Sequence, residues 1–521
     1  MKEFFEFCRK RIDLLIFNIS IVAVVYGCRI FNLSVTMDTD LFINTPRSVY
    51  NWLDIGRYGL IFTEKIFGIR WYNPYINSTL GFFAIVAFLM MFAYSFEYIS
   101  GRENRYNYFV FSALFMTHPI WVMQWVFKLQ NFDIAISILL VAIAVYLTFS
   151  WIKCRAVWRL LLAIGCLVWS FGSYQANTTL FIAAVAFGIL ICKETDLKKL
   201  FLVCVKAVVP FGCAYILNSI IVKMFFSSGD YIEGQVLWGN VSAEQCIINI
   251  IQHIKQVFFV YKDYIYGYGA VVLSICAVVM LVIWCKSAIK IPVWKWVAIL
   301  VLIISPFMLT VYAGVALAYR SQYTLPFVIA VGFVYLTRRR DDEAVEKKKS
   351  INKIVRKTIQ AGVLIAAIAV GLSQTYTTLR FWYADDVRYE QDVDTLNEIV
   401  TRCHIKDYDL QKSKIAFIGE RKAPLNNACY PEIDFIGMSY FNMFAWMEPE
   451  YYYSTGKICT FALTRGIELN GATQEEIARA TNFAKNMPAW PANDAIQKRW
   501  RFNYSEDGRN QIESQSIICY S

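Results

Sequence analysis

Charged side chains are scarce in this chain. Asp, Glu, Lys and Arg make up 17% of its 521 residues, whereas hydrophobic residues make up 57%. An average soluble domain has about 25% charged residues, which keep its surface in contact with water. The composition therefore excludes an ordinary soluble protein and favours a protein whose solvent is largely the lipid bilayer.

Motifs for metals, redox chemistry and nucleotides are also missing. The 14 cysteines include no C-x-x-C pair, and the three histidines, His118, His253 and His404, are far apart in the sequence. Zinc and dithiol sites usually need closely spaced ligands. The chain also lacks the G-x-x-x-x-G-K-[ST] pattern of phosphate-binding loops. We therefore predict no zinc, redox or nucleotide site.

What the sequence does contain is a series of long apolar runs. A helix of about 20 apolar residues can cross the hydrocarbon core of a bilayer. We therefore predict an all-α, multi-pass membrane protein with about eleven transmembrane helices. The predicted spans cover residues 14–35, 77–98, 108–126, 132–151, 158–173, 177–192, 200–222, 266–285, 296–314, 323–337 and 360–378.

Clusters of Lys and Arg between the apolar runs predict the orientation. Short loops rich in these residues stay in the cytoplasm, and four cations lie among the first 11 residues. We interpret the net charge of +11 as a topological signal, because the cations are spread over several loops and form no nucleic-acid-binding patch. The N-terminus is then cytoplasmic, whereas loops 36–76 and 223–265 and the region after residue 378 lie on the outer face.

Two domains are predicted. Residues 1–378 form a transmembrane domain, and residues 379–521 form a small soluble extracytoplasmic domain with an α+β fold. Polar and charged residues, Pro and Gly return in this second region. Its segment 414–419 is predicted to be a strand, and its segment 473–486 a helix that begins at the capping residue Thr473.

Four cysteines of the C-terminal region are expected to face an oxidising compartment. Disulfides form and persist in such compartments, so we expect one or two disulfides among these residues. The sequence leaves three pairings open. The cysteines are Cys403, Cys429, Cys459 and Cys519.

Two carboxylates lie just beyond the first predicted span. Asp38 and Asp40 are separated by one residue at the start of the first outer loop. One could accept a proton from an acceptor hydroxyl, while the other could orient that hydroxyl or help to hold a divalent cation, Mg²⁺ or Mn²⁺. The alternative is a solvated cap of the next short helix, and the two residues taken alone favour this alternative.

A few cations lie at the outer boundary, where positive charge is otherwise rare. A lipid-linked phosphate at headgroup depth would need such partners. Each cation could equally be an interface anchor that reaches toward the headgroups. The candidates for binding a donor phosphate are Arg57, Lys128, Lys262 and Arg320.

Three polar residues are candidates for contact with a sugar. Tyr58 follows Arg57, and Tyr174 and Gln175 lie in the short connection between two predicted spans. Phenol and amide groups can hydrogen-bond to sugar hydroxyls. The alternatives are an interfacial aromatic belt for Tyr58 and helix-end capping for the other two residues.

The chain resembles the Gtr-type bacterial glucosyltransferases, which belong to the GT-C class of polytopic enzymes. The resemblance covers most of the membrane part and is carried by four elements. These are Asp38-x-Asp40, Trp52-Leu-x-x-Gly-Arg-Tyr-Gly59, Tyr174-Gln-Ala176 and, in the C-terminal region, Met487-Pro-Ala-Trp-Pro491.

The resemblance implies a reaction and a place for it. Members of the family transfer a hexose, usually glucose, from a polyprenyl-phosphate donor to a surface glycan such as O-antigen, on the outer face of the bacterial cytoplasmic membrane. The GT-C pattern places an acidic residue of the first outer loop at the catalytic centre, which corresponds to Asp38 or Asp40 here. This chain departs from the commoner adjacent pair of acids, so the resemblance leaves open which residue is the base.

Two other classes of membrane protein remain as alternatives. A transporter or flippase of lipid-linked glycans would suit eleven spans, but such proteins tend to show internal repeats and ionisable residues at mid-membrane. We find no clear repeat, and the acidic residues avoid the centres of the predicted spans. A glycan polymerase or ligase would also use lipid-linked sugars on the outer face.

Overall fold

The protein consists of two compact units. The computed structural model describes residues 2–45, 49–68, 72–101, 106–226, 234–259, 264–285, 292–338, 353–502 and 514–520. The first unit, called the helical unit, comprises Met1–Phe31 and Arg47–Leu379. The second, called the mixed unit, comprises Asn32–Pro46 and Arg380–Ser521.

Apolar helices make up most of the helical unit. Within the described ranges, five helices are long and apolar enough to cross a membrane: Pro74–Ser100, Lys128–Cys154, Leu197–Phe225, Val293–Ala313 and Lys357–Ile405. Shorter apolar helices are Ile12–Tyr26, Tyr108–Thr117, Val157–Ser173, Asn177–Ile191, Gly269–Leu281 and Thr324–Thr337. These helices fit a membrane protein. Apolar helix is present at every predicted span, while the number of helices that cross the membrane stays a prediction.

The remaining helices are short or amphipathic. In the helical unit they are Lys2–Lys10, Cys28–Phe31, Asn51–Asp54, Tyr58–Phe67, Ile120–Trp125 and Ala243–Phe259. In the mixed unit they are Thr39–Asn44, Tyr452–Thr464 and Gln474–Ala484. The long helix Lys353–Ile405 passes the boundary between the units, so its residues from Arg380 onward belong to the mixed unit.

The Pro74–Ser100 helix shows how local sequence sets the ends of a span. The Asn73 side chain accepts hydrogen bonds from the backbone N–H groups of Tyr75 and Ile76 at 3.0 and 3.1 Å, and Pro74 occupies the first helical position, where a missing N–H costs nothing. The helix stops at Gly101, whose φ of 57° is a left-handed conformation that glycine adopts without strain.

A four-stranded sheet forms the centre of the mixed unit. Its strands are β1 (Lys414–Ile418), β2 (Asn470–Gly471), β3 (Ile496–Phe502) and β4 (Ser514–Tyr520). The strand order is β2-β1-β4-β3. Strand β1 is parallel to both β2 and β4, and β3 is antiparallel to β4. The predicted strand at 414–419 is thus confirmed as β1.

The predicted helix near the C-terminus is also confirmed. It runs from Gln474 to Ala484, and Thr473 and Glu476 form a reciprocal capping box at its start. The Glu476 carboxylate accepts a bond of 2.7 Å from the Thr473 N–H, and the Thr473 hydroxyl accepts one of 3.4 Å from the Glu476 N–H. Both bonds satisfy backbone donors that have no partner within the helix.

The expectation of disulfides in the C-terminal region is wrong. Cys403, Cys429, Cys459 and Cys519 all carry free thiols. Cys403 and Cys519 are buried in the hydrophobic core of the mixed unit, together with Leu396, Phe417 and Phe461. In this environment a thiol packs as a small apolar group.

Residues 32–45 are packed into the mixed unit. The Ser34 hydroxyl donates a hydrogen bond of 2.9 Å to Asp385 Oδ2, and the Val35 carbonyl accepts one of 3.1 Å from Arg388 Nη1. Val35 itself lies in the hydrophobic core of this unit. The segment that carries Asp38 and Asp40 is therefore a structural part of the mixed unit. In the sequence, the 333 residues from 47 to 379 lie between the two parts of this unit.

Candidate active site

The two predicted carboxylates lie in different environments. Asp38 occupies the N-cap position of the Thr39–Asn44 helix in a left-handed conformation with φ 68°, and its side chain makes no capping hydrogen bond. Its side chain is 47% exposed, whereas that of Asp40, in the first turn of the helix, is 0% exposed. The alternative hypothesis, in which the two aspartates are solvated helix caps, therefore does not apply to Asp40, because its side chain is not exposed to solvent.

Lys457 joins both carboxylates. Its Nζ lies 3.5 Å from Asp38 Oδ1 and 3.5 Å from Asp40 Oδ1. Lys457 projects from the Tyr452–Thr464 helix, and the Asn44 side chain donates a bond of 2.8 Å to the Thr460 carbonyl of the same helix. These contacts hold the Thr39–Asn44 helix against the helix that supplies the ammonium group.

Sequence reasoning missed Lys457. No motif marks it, and it is 419 positions from Asp38 in the chain. The only local signal is a lysine on a largely apolar helix, with buried Ile458 and Phe461 nearby, and this pattern is too common to indicate a site.

Asp40 has the electrostatic properties of a general base. Within the described part of the chain its carboxylate makes only weak contacts, with the Lys457 ammonium at 3.5 Å and with the Leu41 N–H. Burial raises the pKa of Asp40 to about 6, against the attraction of Lys457, which lowers it, while the charge of Asp38 raises it further. Such a carboxyl group is mostly ionised near neutral pH and yet has a raised proton affinity, which is what proton abstraction from a hydroxyl requires.

A divalent cation at the carboxylate pair would compete with an existing ion pair. Mg²⁺ is often held by one or two carboxylates together with phosphate oxygens, and the described residues contain no group of three or more His, Cys, Asp or Glu side chains that could hold a metal without such help. The Lys457 ammonium lies beside both carboxylates, so its positive charge opposes the binding of a metal ion there.

In the helical unit, two of the predicted phosphate-binding cations are neighbours. Lys128 is buried, and the Arg320 guanidinium lies 5.1 Å from the ring centre of the adjacent Phe127. A third cation, Arg29, is also buried and donates a hydrogen bond of 3.2 Å from Nη2 to the Val126 carbonyl. Arg29 and Arg320 therefore both contact the two residues that precede Lys128.

Arg29 is a second residue that sequence reasoning missed. It falls inside the predicted span 14–35, where an arginine is costly and usually functional. An arginine inside a predicted span is rare, and this rarity is the sequence signal by which Arg29 could have been found. The Ile12–Tyr26 helix ends before it, and Arg29 lies in the separate short helix Cys28–Phe31.

Arg57 and Tyr174 are brought together. The Arg57 guanidinium lies 4.9 Å from the centre of the Tyr174 ring, and Tyr174 in turn stacks on Tyr323 at 6.1 Å. Tyr323 follows the short turn that carries Arg320. A cation over an aromatic face is held in place by the charge distribution of the ring, so the stacked rings orient Arg57.

The remaining candidates are the sugar-contact residues Tyr58 and Gln175 and the phosphate-binding candidate Lys262. The structure favours a ligand contact for neither of the first two, and it does not describe the third. The Tyr58 hydroxyl donates to Asn218 Oδ1 at 2.8 Å, and a Cβ on Gly172 would lie 2.3 Å from the Tyr58 ring. Tyr58 is therefore a packing residue with an internal hydrogen-bond partner. Gln175 is exposed, and Lys262 lies outside the described residues.

Comparison with known proteins identifies the family. Residues 27–337 match the family model described as Glucosyl transferase GtrII. No significant match was found among curated proteins or solved structures. The match includes Asp40, Arg57, Lys128 and Arg320, and it ends before Lys457. Because it spans more than half of the sequence, the chain belongs to the GtrII glucosyl transferase family.

Proposed function

We propose that this glucosyltransferase moves a hexose, with glucose expected, from a polyprenyl-phosphate donor to a surface glycan such as O-antigen. The reaction would take place on the outer face of the bacterial cytoplasmic membrane. The observation that carries the proposal is Asp40, a fully buried carboxylate paired with Lys457 and with a raised pKa, in the first loop of a chain from this family.

Asp40 acts as the base in the proposed mechanism. It takes the proton of an acceptor hydroxyl while the hydroxyl oxygen forms a bond to the anomeric carbon of the donor sugar. The bond from that carbon to the phosphate oxygen breaks, and its electron pair leaves with polyprenyl phosphate. Lys457 keeps the two carboxylates in a fixed arrangement through its contact of 3.5 Å with each of them.

The cations that we assign to the donor phosphate belong to the helical unit. The leaving phosphate gains negative charge as the glycosidic bond breaks, and preorganised cations stabilise such charge. Arg57 is oriented by Tyr174, while Arg29 and Arg320 contact the two residues that precede Lys128. Arginine in particular can bind phosphate through two parallel hydrogen bonds.

Replacement of the cations tests the donor assignment. Arg57→Gln, Lys128→Gln and Arg320→Gln should each raise the KM for a synthetic polyprenyl-phosphate hexose by about 10- to 100-fold, because a hydrogen bond to a charged group contributes about 1.5–3 kcal/mol. Sugar transfer is measured at limiting donor with purified protein. The predicted cation Lys262 is tested in the same way.

Lys65→Gln is the matched control, since Lys65 is an exposed cation of the helical unit. It should leave the KM unchanged. Wild-type KM values in all the cation variants would contradict the donor assignment, provided that each variant melts at the wild-type temperature. A wild-type protein that moves lipid-linked sugar across vesicles without transferring it would instead support the transporter alternative.

The orientation is tested with reporter fusions. The asymmetry of Lys and Arg between loops predicts that the segment around Ser350 is cytoplasmic and that the C-terminus is outside. Alkaline phosphatase, which folds only outside the cytoplasm, should be active when fused after Ser521 and inactive when fused at Ser350. The reverse pattern would contradict both the orientation and the outer-face reaction.

A further inference from the structure

The mixed unit contains a cavity that the proposed chemistry does not use. Its volume is about 470 Å³, and its lining includes Trp490 and the charged residues Glu398, Glu420, Arg421 and Lys422. This volume is in the range of about 300–1,000 Å³ that is usual for small-molecule sites. Trp490 belongs to the Met487-Pro-Ala-Trp-Pro491 element that the sequence analysis singled out.

One wall of the cavity is held in place by Arg402. Its guanidinium lies 4.3 Å from the centre of the Trp490 ring, and its Nη1 donates to the carbonyls of Pro491 and Ala492 at 2.9 and 3.0 Å. Arg402 Nη2 also pairs with Glu398 Oε1 at 2.5 Å. The aromatic side chain is therefore oriented before any ligand arrives.

The facing segment is fixed as well. The Gln391 amide donates a bond of 2.9 Å to the carbonyl of Pro424, which also lines the cavity. The backbone N–H of Arg421 donates to the Phe441 carbonyl at 3.1 Å, and the Arg421 charge interacts with buried Asp392. A preorganised wall costs little conformational entropy on binding.

The chemistry of the lining favours an uncharged, hydroxyl-rich ligand. The lining itself carries two acidic and two basic side chains, so its formal charges cancel. Hydroxyl groups can donate to the carboxylates and accept from the cations, while an apolar ring face can pack on the indole. A sugar ring combines both kinds of surface.

We propose that this cavity binds a neutral sugar residue of a glycan. The assignment of that glycan as the acceptor rests on the proposed function. The cavity then holds the acceptor chain through a sugar unit that does not react, and it contributes to the affinity for the acceptor without taking part in bond formation.

Glycan binding is measured directly with full-length protein in detergent. The probe is surface polysaccharide freed from its lipid by mild acid, and saturation-transfer NMR or thermophoresis reports binding without any donor. Trp490→Ala should weaken binding by at least about tenfold, whereas Trp490→Phe, which keeps a ring, should retain most of it. Glu420→Gln, a change at an exposed position, should also weaken binding and does not endanger folding.

Trp446→Ala is the matched control, because Trp446 is 73% exposed in the same unit and does not line the cavity. It should bind polysaccharide as wild type does. In transfer assays, Trp490→Ala should raise the KM for the acceptor and leave kcat unchanged.

The outcomes separate this inference from the proposed function. Wild-type binding in both Trp490→Ala and Glu420→Gln would overturn the inference and leave the transferase proposal intact. Trp490-dependent binding in a protein that transfers no sugar would support the cavity and contradict the transferase. Displacement of the polysaccharide by millimolar inorganic phosphate would also overturn the inference, because it would indicate an anion site.

Discussion

Asp40→Asn is expected to lower sugar transfer by about 10²- to 10⁴-fold, the usual contribution of a general base. Asparagine keeps the size of the side chain but cannot accept a proton at neutral pH. The measurement is turnover of a synthetic polyprenyl-phosphate hexose by purified protein. Added Mg²⁺ or Mn²⁺ should not restore activity, since the Lys457 ammonium beside both carboxylates opposes a metal ion there.

Two further aspartate variants show whether the effect belongs to Asp40. Asp38→Asn should lose less than about tenfold, because Asp38 is half exposed and acts mainly as the second partner of Lys457. Asp394→Asn, at an exposed position of the same unit, should have wild-type turnover. If Asp40→Asn keeps more than a third of wild-type turnover, Asp40 is not the base.

The pH dependence provides an independent test of Asp40. The base must be ionised, so wild-type activity should rise as the pH increases through about 6, the pKa to which burial raises this carboxyl group. Activity that is flat between pH 5 and 7 would contradict this assignment.

Asp40→Asn should also change stability, in the opposite direction to activity. The ordinary pKa of an aspartate side chain is 3.8, and that of Asp40 is raised to about 6 in the folded state. The folded state therefore binds the proton more tightly than the unfolded state, and this contribution to stability is complete below pH about 4 and is lost as the pH rises through about 6. At pH 8 the variant should therefore be more stable than wild type by up to about 2–3 kcal/mol, and below pH about 4 the two should be equal. Equal stability at both pH values would contradict the burial of an ionised Asp40.

Arg388→Met is expected to destabilise the mixed unit by about 3–5 kcal/mol, because it would leave buried charges without their partner. Arg388 lies 2.5 Å from Asp385 and 3.6 Å from Asp392, and all three side chains are fully buried. Burial already raises the pKa of Asp392, and Arg388 opposes that rise. Methionine fills similar space and carries no charge.

The same substitution should affect the segment with the catalytic candidates. Arg388 donates to the Val35 carbonyl, and Asp385 accepts from Ser34, so the start of the segment 32–45 depends on this cluster. Activity should therefore fall together with stability. Unfolding is followed in detergent by tryptophan fluorescence under increasing denaturant.

Lys412→Met is the control for a charge that is not buried. Lys412 pairs with Asp409 at 3.6 Å in an exposed position, and such pairs contribute at most about 1 kcal/mol.

If Arg388→Met lowers the free energy of unfolding by less than about 1 kcal/mol, the buried cluster does not hold the unit together. Asp385→Asn combined with Arg388→Met should recover part of the loss, because fewer uncompensated charges remain.

Local features of the mixed unit could be predicted because their causes are local. Strand β1 and the helix that begins after Thr473 follow from a short β-branched and aromatic run and from a capping pair three residues apart. That the four cysteines remain free thiols could not be predicted, because a cysteine that packs in a core and one that forms a disulfide look alike in sequence. Cys403 and Cys519 belong to the first kind.

Local information in the chain is enough to predict the apolar helices, the family and the chemical types of the candidate residues. The hydropathy of a segment depends only on neighbouring residues. The positions of Asp385, Arg388 and Asp392 on one helix face likewise follow from their spacing of three and four residues. Three other features became visible only in the folded protein: which carboxylate is buried, the contacts of Lys457 with Asp38 and Asp40, and the bond from Arg388 to the Val35 carbonyl, 353 positions away. Burial and ion pairing depend on packing between distant segments, and one hydropathy pattern is compatible with many such packings.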